Sequence, residues 1–185
     1  AQELQRNAQA LVQSPKNAVL TFAVGLMYAR IGDFESATKV LKRALRLSRS
    51  NEIILGVLAF IYGNQLGDHQ TAITYLQKKA QLNKKDGAGL LLLANSFMNV
   101  GEPAKALKAI EQAEPLLDEA MTIKLFAMRA QCHQRIGDFA AARDELLKLA
   151  EVDPLGMVGV ADVLSRMPEL PDDLAETLET EMMSA

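Results

Sequence analysis

Ile31-Gly32-Asp33-Phe34 recurs as Leu66-Gly67-Asp68-His69, Val100-Gly101-Glu102-Pro103 and Ile136-Gly137-Asp138-Phe139, with glycines 35, 34 and 36 residues apart. A period of this size marks one supersecondary unit copied along a solenoid. Each glycine lies between two stretches with helical apolar spacing. Before Gly32, Leu20, Val24 and Tyr28 recur every four residues; after it, Ala37, Leu41, Ala44 and Leu45 mark the apolar face of a second helix. Glycine suits the end of the first helix because it takes positive φ without a Cβ clash. Asp33, Asp68 and Asp138 stand where a carboxylate caps the next helix. Glu102-Pro103 replaces that cap in the third copy, and proline is well tolerated in a first helical turn. The uneven spacing puts one inserted residue before Gly67 and a longer link before the fourth unit.

Small and aromatic residues keep fixed places around the glycines. The first copy has Gly25, Tyr28, Gly32 and Ala37; the second has Leu58, Ala59, Tyr62, Gly67 and Ala72. The third has Ala94, Phe97, Gly101, Ala106 and Ala113; the fourth has Ala130, Gly137, Phe139, Ala142 and Pro154, with His133 where an aromatic is usual. This pattern resembles the tetratricopeptide repeat (TPR). The resemblance implies an all-α, right-handed superhelical solenoid. Four repeats are expected at about 18–52, 53–86, 87–122 and 123–156, after an N-terminal half-repeat helix at 1–17. Residues 157–185 are expected to form a degenerate fifth repeat and an acidic helix that caps the open end.

The composition sets further bounds. The chain has 185 residues, a hydrophobic content of 49% and a net charge of −3. The charge is lopsided: residues 1–100 carry twelve Lys/Arg against six Asp/Glu, residues 101–185 eight against seventeen. From Glu169 onward there are six acids and no bases. Such a distribution belongs to solvated faces, or to a dipolar surface that steers a partner or supports self-association. A nucleic-acid partner is disfavoured by the acidic total and the sparse aromatics. The longest apolar run, Ile53 to Tyr62, is too short for a membrane span, which needs about 20 residues. The single cysteine, Cys132, fits a cytoplasmic compartment and is compatible with a periplasmic one.

In TPR arrays the first helices line the concave face. The resemblance therefore implies a peptide-binding set of Phe22, Leu26 and Arg30 in the first copy and Val57, Phe60 and Asn64 in the second. The third copy adds Leu91, Leu92, Asn95, Met98 and Asn99, and the fourth Met128, Gln131, Gln134 and Arg135. Amides offer a donor and an acceptor to a peptide backbone, and methionines adapt to varied side chains. The clamp by which some TPRs hold the carboxylate tail of heat-shock chaperones needs Lys and Asn in one repeat, Asn in the next, and Lys and Arg in the third. Its positions here are Phe22, Leu26, Val57, Ala88 and Leu92, so that clamp is absent.

No catalytic or cofactor motif is present: there is no phosphate-binding loop, dinucleotide fingerprint or nucleophile elbow. His69 and His133 lack metal-ligand spacing, and the cluster Lys78, Lys79, Lys84 and Lys85 reads as a solvated helix end. The expectation is a non-enzymatic module, without metal or cofactor, that binds a protein or peptide segment as an adaptor or chaperone-like scaffold. Type III secretion chaperones are similar in size and architecture. A second reading is the non-catalytic segment of a larger enzyme, such as a sulfotransferase or glycosyltransferase, or of an assembly factor. Self-association as a scaffold is a third.

Overall fold

Helices flank every one of the four glycines. The computed structural model describes residues 2–48 and 51–152. Its helices are α1 (Gln2–Gln13), α2 (Ala18–Arg30), α3 (Phe34–Ser48), α4 (Glu52–Phe60), α5 (His69–Leu82), α6 (Gly87–Asn99), α7 (Pro103–Ala113), α8 (Glu119–Ile136) and α9 (Phe139–Val152). Consecutive pairs α2–α3, α4–α5, α6–α7 and α8–α9 pack as antiparallel hairpins, and α1 packs on α2. No strand occurs among the described residues. The molecule is an all-α, right-handed solenoid of helix–turn–helix repeats. The expected fifth repeat and capping helix, 157–185, and the closing Pro154 lie outside the described residues.

The turn chemistry is repeated from copy to copy. Gly32, Gly67, Gly101 and Gly137 all have positive φ, from 68° to 89°. The amide of Asp33 donates to the Tyr28 carbonyl, Glu102 to Phe97 and Asp138 to His133, each five residues back. This is the six-to-one bond of a Schellman ending, and it satisfies a carbonyl the helix leaves unpaired. Each aspartate then starts the following helix: Oδ1 of Asp33, Asp68 and Asp138 accepts from Ser36, Thr71 and Ala141 at 3.0–3.1 Å. In the third turn Pro103 opens α7 without a side-chain cap.

The extra residue before Gly67 is absorbed as a π-turn. Residues Ile61–Gln65 continue α4 with wider hydrogen bonding, Leu66 donating to the Ile61 carbonyl five residues back. Asp68 consequently reaches the Tyr62 carbonyl six residues back, one more than in its sister turns. A single-turn π-bulge lengthens a helix by one residue without breaking it. The longer link before the fourth repeat is a 3₁₀ turn, Glu114–Leu116, leading into an α8 of 18 residues.

Small residues set the distance within each hairpin. Ala37, Ala72, Ala94, Ala106, Ala130 and Ala142 are fully buried. A Cβ on Gly25 would lie 2.7 Å from Cγ and Cδ2 of buried Leu41. Leu41, Leu58, Ile110, Leu125 and Leu146 fill the core between the hairpins.

One buried ion network joins the last two repeats. Arg129 on α8 donates to Glu145 of α9 at 2.7 Å and to Glu114 of the 3₁₀ turn at 2.9 Å. Burial works against its charge, but the hydrogen bonds it donates to both carboxylates, with their negative charge, outweigh it and hold the guanidinium pKa above its ordinary value.

Candidate functional site

The first helices of the four hairpins, α2, α4, α6 and α8, are those expected to line the concave face. Each, α4 together with the π-turn that continues it, exposes three positions at the same spacing, i, i+7 and i+11: Val19, Leu26 and Arg30; Ile53, Phe60 and Asn64; Ala88, Asn95 and Asn99; Lys124, Gln131 and Arg135. Seven residues return a helix to nearly the same angle, and four more advance one turn on that face. Repeated on the four first helices, these positions make three rows, each with one residue from every repeat. The rows are graded. In the first two repeats they hold Val19, Leu26, Ile53 and Phe60, which are 78%, 39%, 59% and 46% exposed. In the last two they hold amides and cations, with Ala88 the one apolar residue. Not one of the twelve positions is a carboxylate.

Eight of the residues expected in the groove stand in these rows: Leu26, Arg30, Phe60, Asn64, Asn95, Asn99, Gln131 and Arg135. Phe22, Val57, Leu91, Leu92 and Met128 are only partly accessible and pack against the two largest cores. Gln134 is partly buried as well. Met98 departs most from expectation. It is 7% exposed, and its sulfur lies 3.2 Å from the Cys132 sulfur inside the core. Its adaptable side chain therefore serves packing between the third and fourth repeats. Val19 and Ile53 were missed by the sequence reading, although both stand seven residues before a recognised groove residue.

Several groove side chains are held in place. Asn99 Nδ2 donates to the Asn95 carbonyl at 2.8 Å. Arg135 reaches from α8 to the carbonyl of Met98 at 2.6 Å, near the C-terminal end of α6. Arg30 pairs with Glu3 of α1 at 3.7 Å, both side chains being well exposed. Lys124 at the other end has no ion-pair partner among the described residues.

The cysteine, the histidines and the lysine cluster lie apart from these rows. Cys132 is fully buried, and burial pushes its thiol pKa up to about 11, which leaves little thiolate near neutral pH. His69 opens α5 with Nδ1 buried and unpaired; His133 Nδ1 lies 3.7 Å from Asp138. The lysine cluster is not uniformly solvated, because Lys79 is partly buried in an ion pair with Asp86. Asp86 also caps α6 by accepting from Gly89 at 3.0 Å. No three His, Cys, Asp or Glu side chains come together as a metal site among the described residues. No described helix is long and apolar enough to cross a membrane.

Comparison with known proteins agrees with this architecture. A tetratricopeptide-repeat family profile matches residues 20–53. No curated protein sequence matches. Among solved structures, a MamA protein superposes with a TM-score of 0.72 at 20% identity, covering 91% of this chain and 87% of that one. Residues 41 to the end of MamA from Desulfovibrio magneticus RS-1 give 0.72 at 16% identity, covering 82% and 84%. YrrB, a TPR protein with an unusual peptide-binding site, gives 0.76 at 19% identity, covering 87% and 84%. At these identities the likeness is one of fold.

Proposed function

We propose that this tetratricopeptide-repeat protein is a non-catalytic interaction module that holds a peptide or protein segment in its concave groove. The observation that carries the reading is the graded set of rows. Four large apolar side chains stand open to solvent at one end, and a run of amides and cations without any carboxylate stands at the other. Apolar side chains exposed together mark an interaction surface. The ligand that fits places apolar anchors on the first two repeats and its backbone carbonyls and amides against Asn95, Asn99 and Gln131. A scaffold whose groove residues are already hydrogen-bonded orders such a ligand at small conformational cost to itself. The similarity to a peptide-binding TPR protein supports this reading.

The test is a selection of displayed random peptides on the wild type, followed by binding measurements with a Phe60→Asp/Asn95→Ala variant. Both changes are at exposed positions and leave the core intact. Selected peptides should share an apolar anchor and lose at least about tenfold in affinity for the variant, the cost of one lost anchor. Equal affinity for both proteins would remove the groove from consideration.

A further inference from the structure

A small recess lies between α1, α2 and α3. Its volume is about 220 Å³, below the roughly 300–1,000 Å³ of small-molecule sites and suited to a single apolar side chain. Leu11, Val12, Pro15, Tyr28 and Val40 line it together with Arg43. Val12 is 79% exposed, so one wall is an apolar surface left in water. Tyr28 stands two residues, roughly 200° of helix, from both Leu26 and Arg30. The recess is therefore set apart from the groove rows.

Its surroundings are cationic. Lys39, Arg43 and Arg46 follow one another at i, i+4 and i+7 along the exposed face of α3, and Lys16 comes directly after Pro15. The chain has no carboxylate from Leu4 to Gly32 or from Ser36 to Asn51. Glu35, one turn before Lys39, is the one acid of α3. Lys16, Lys39 and Arg46 have no carboxylate partner among the described residues. Arg43 Nη2 donates to the Pro15 carbonyl at 2.6 Å. That bond holds the guanidinium beside the recess and leaves further N–H groups to donate outward.

We propose that this recess is a docking site for an acidic segment of a partner protein. The segment seats one apolar side chain between Val12, Tyr28 and Val40, and its flanking Asp or Glu side chains pair with Lys39, Arg43 and Arg46. Charge complementarity favours this occupant, because three neighbouring cations without carboxylates of their own repel one another until acids arrive. The apolar recess then separates such a segment from a merely anionic chain. A nucleic acid is the poorer fit: base stacking needs aromatic faces, and Tyr28 is the one aromatic residue of the lining.

Displayed peptides with a fixed central leucine, and flanking positions drawn from Asp, Ser, Gln and Lys, test the assignment. They are selected on the full chain carrying Phe60→Asp/Asn95→Ala, which suppresses binding in the proposed concave groove and makes the outcome independent of it. The survivors should be enriched in Asp beside the leucine. Adding Val12→Asp should lower their affinity at least about tenfold, and so should Lys39→Glu/Arg46→Glu. All three positions are exposed, and an unchanged thermal midpoint checks that each variant is folded. Replacing the leucine of the peptide with serine should cost a similar factor. No preference for Asp, affinity unchanged by Val12→Asp, or equal binding of the serine-centred peptide would each overturn the proposal. Tighter binding of oligothymidylate of the same charge would do so too, by making the cations a phosphate surface.

Discussion

Gly25 shows how much one absent methyl group decides. A Cβ there would meet the Leu41 branch point at 2.7 Å, and Leu41 is fully buried, so it has little room to yield. Alanine gains about 1 kcal/mol of helix propensity over glycine, but overpacking a filled interface costs about 1–3 kcal/mol. Gly25→Ala should therefore lower the denaturation midpoint despite its better propensity; a rise would mean that the hairpin can spread. Cys132 yields a prediction with a pH window. Its folded pKa of about 11 lies above the ordinary 9.0, so the fold favours the neutral thiol. That contribution is complete below about pH 9 and is lost as the pH rises towards 11. Native protein should react with a thiol reagent about a hundredfold more slowly than unfolded protein at pH 8. Equal rates would contradict burial of the thiol against Met98.

At the scale of elements, the caps and the ion network divide the work of joining helices. Asp68 accepts from Thr71 at the start of α5, and those hydrogen bonds lower its carboxyl pKa. Asp68→Ala should cost about 1 kcal/mol, measurable by chemical denaturation at neutral pH. Because the folded pKa is depressed, the difference from wild type should shrink as the pH falls below about 4 and the carboxylate is protonated. Arg129 acts between elements. Replacing it with methionine leaves Glu145, which is 8% exposed, with only Lys148 for compensation. Breaking such a pair costs about 3 kcal/mol, and the additional change Glu145→Leu should recover much of it.

These features differ in how legible they were. The turns, caps and small interface residues were readable because each is a local requirement repeated four times. Met98 and Cys132 were not. Their contact joins residues 34 apart, and an apolar residue on a first helix reads alike whether it faces the groove or the next repeat. The Lys79–Asp86 pair was hidden for a similar reason: charge clusters look solvated until the fold buries one member. Val19 and Ile53 carried a usable signal, the seven-residue return to a groove position.

Across the whole molecule, the proposed groove has a direction. Apolar exposure is concentrated in α2 and α4, amides in α6 and α8, so a ligand read in reverse order should bind more weakly than the same residues in the favoured order. The gradient also argues against symmetric stacking of identical grooves, which would set unlike rows against one another. The π-turn at Ile61–Gln65 bears on how this array deforms. It holds one residue of slack in the second coil, where the closing hydrogen bond of Asp68 reaches six residues back and those of the other turns reach five. Treated as a spring, the solenoid has one coil with spare length. Stretching or twisting should concentrate there, drawing the bulge towards regular α-geometry before any hairpin parts from its neighbour. Under load in an optical trap, yielding should begin at the second coil, and shortening the chain by one residue at Gln65 should stiffen the response.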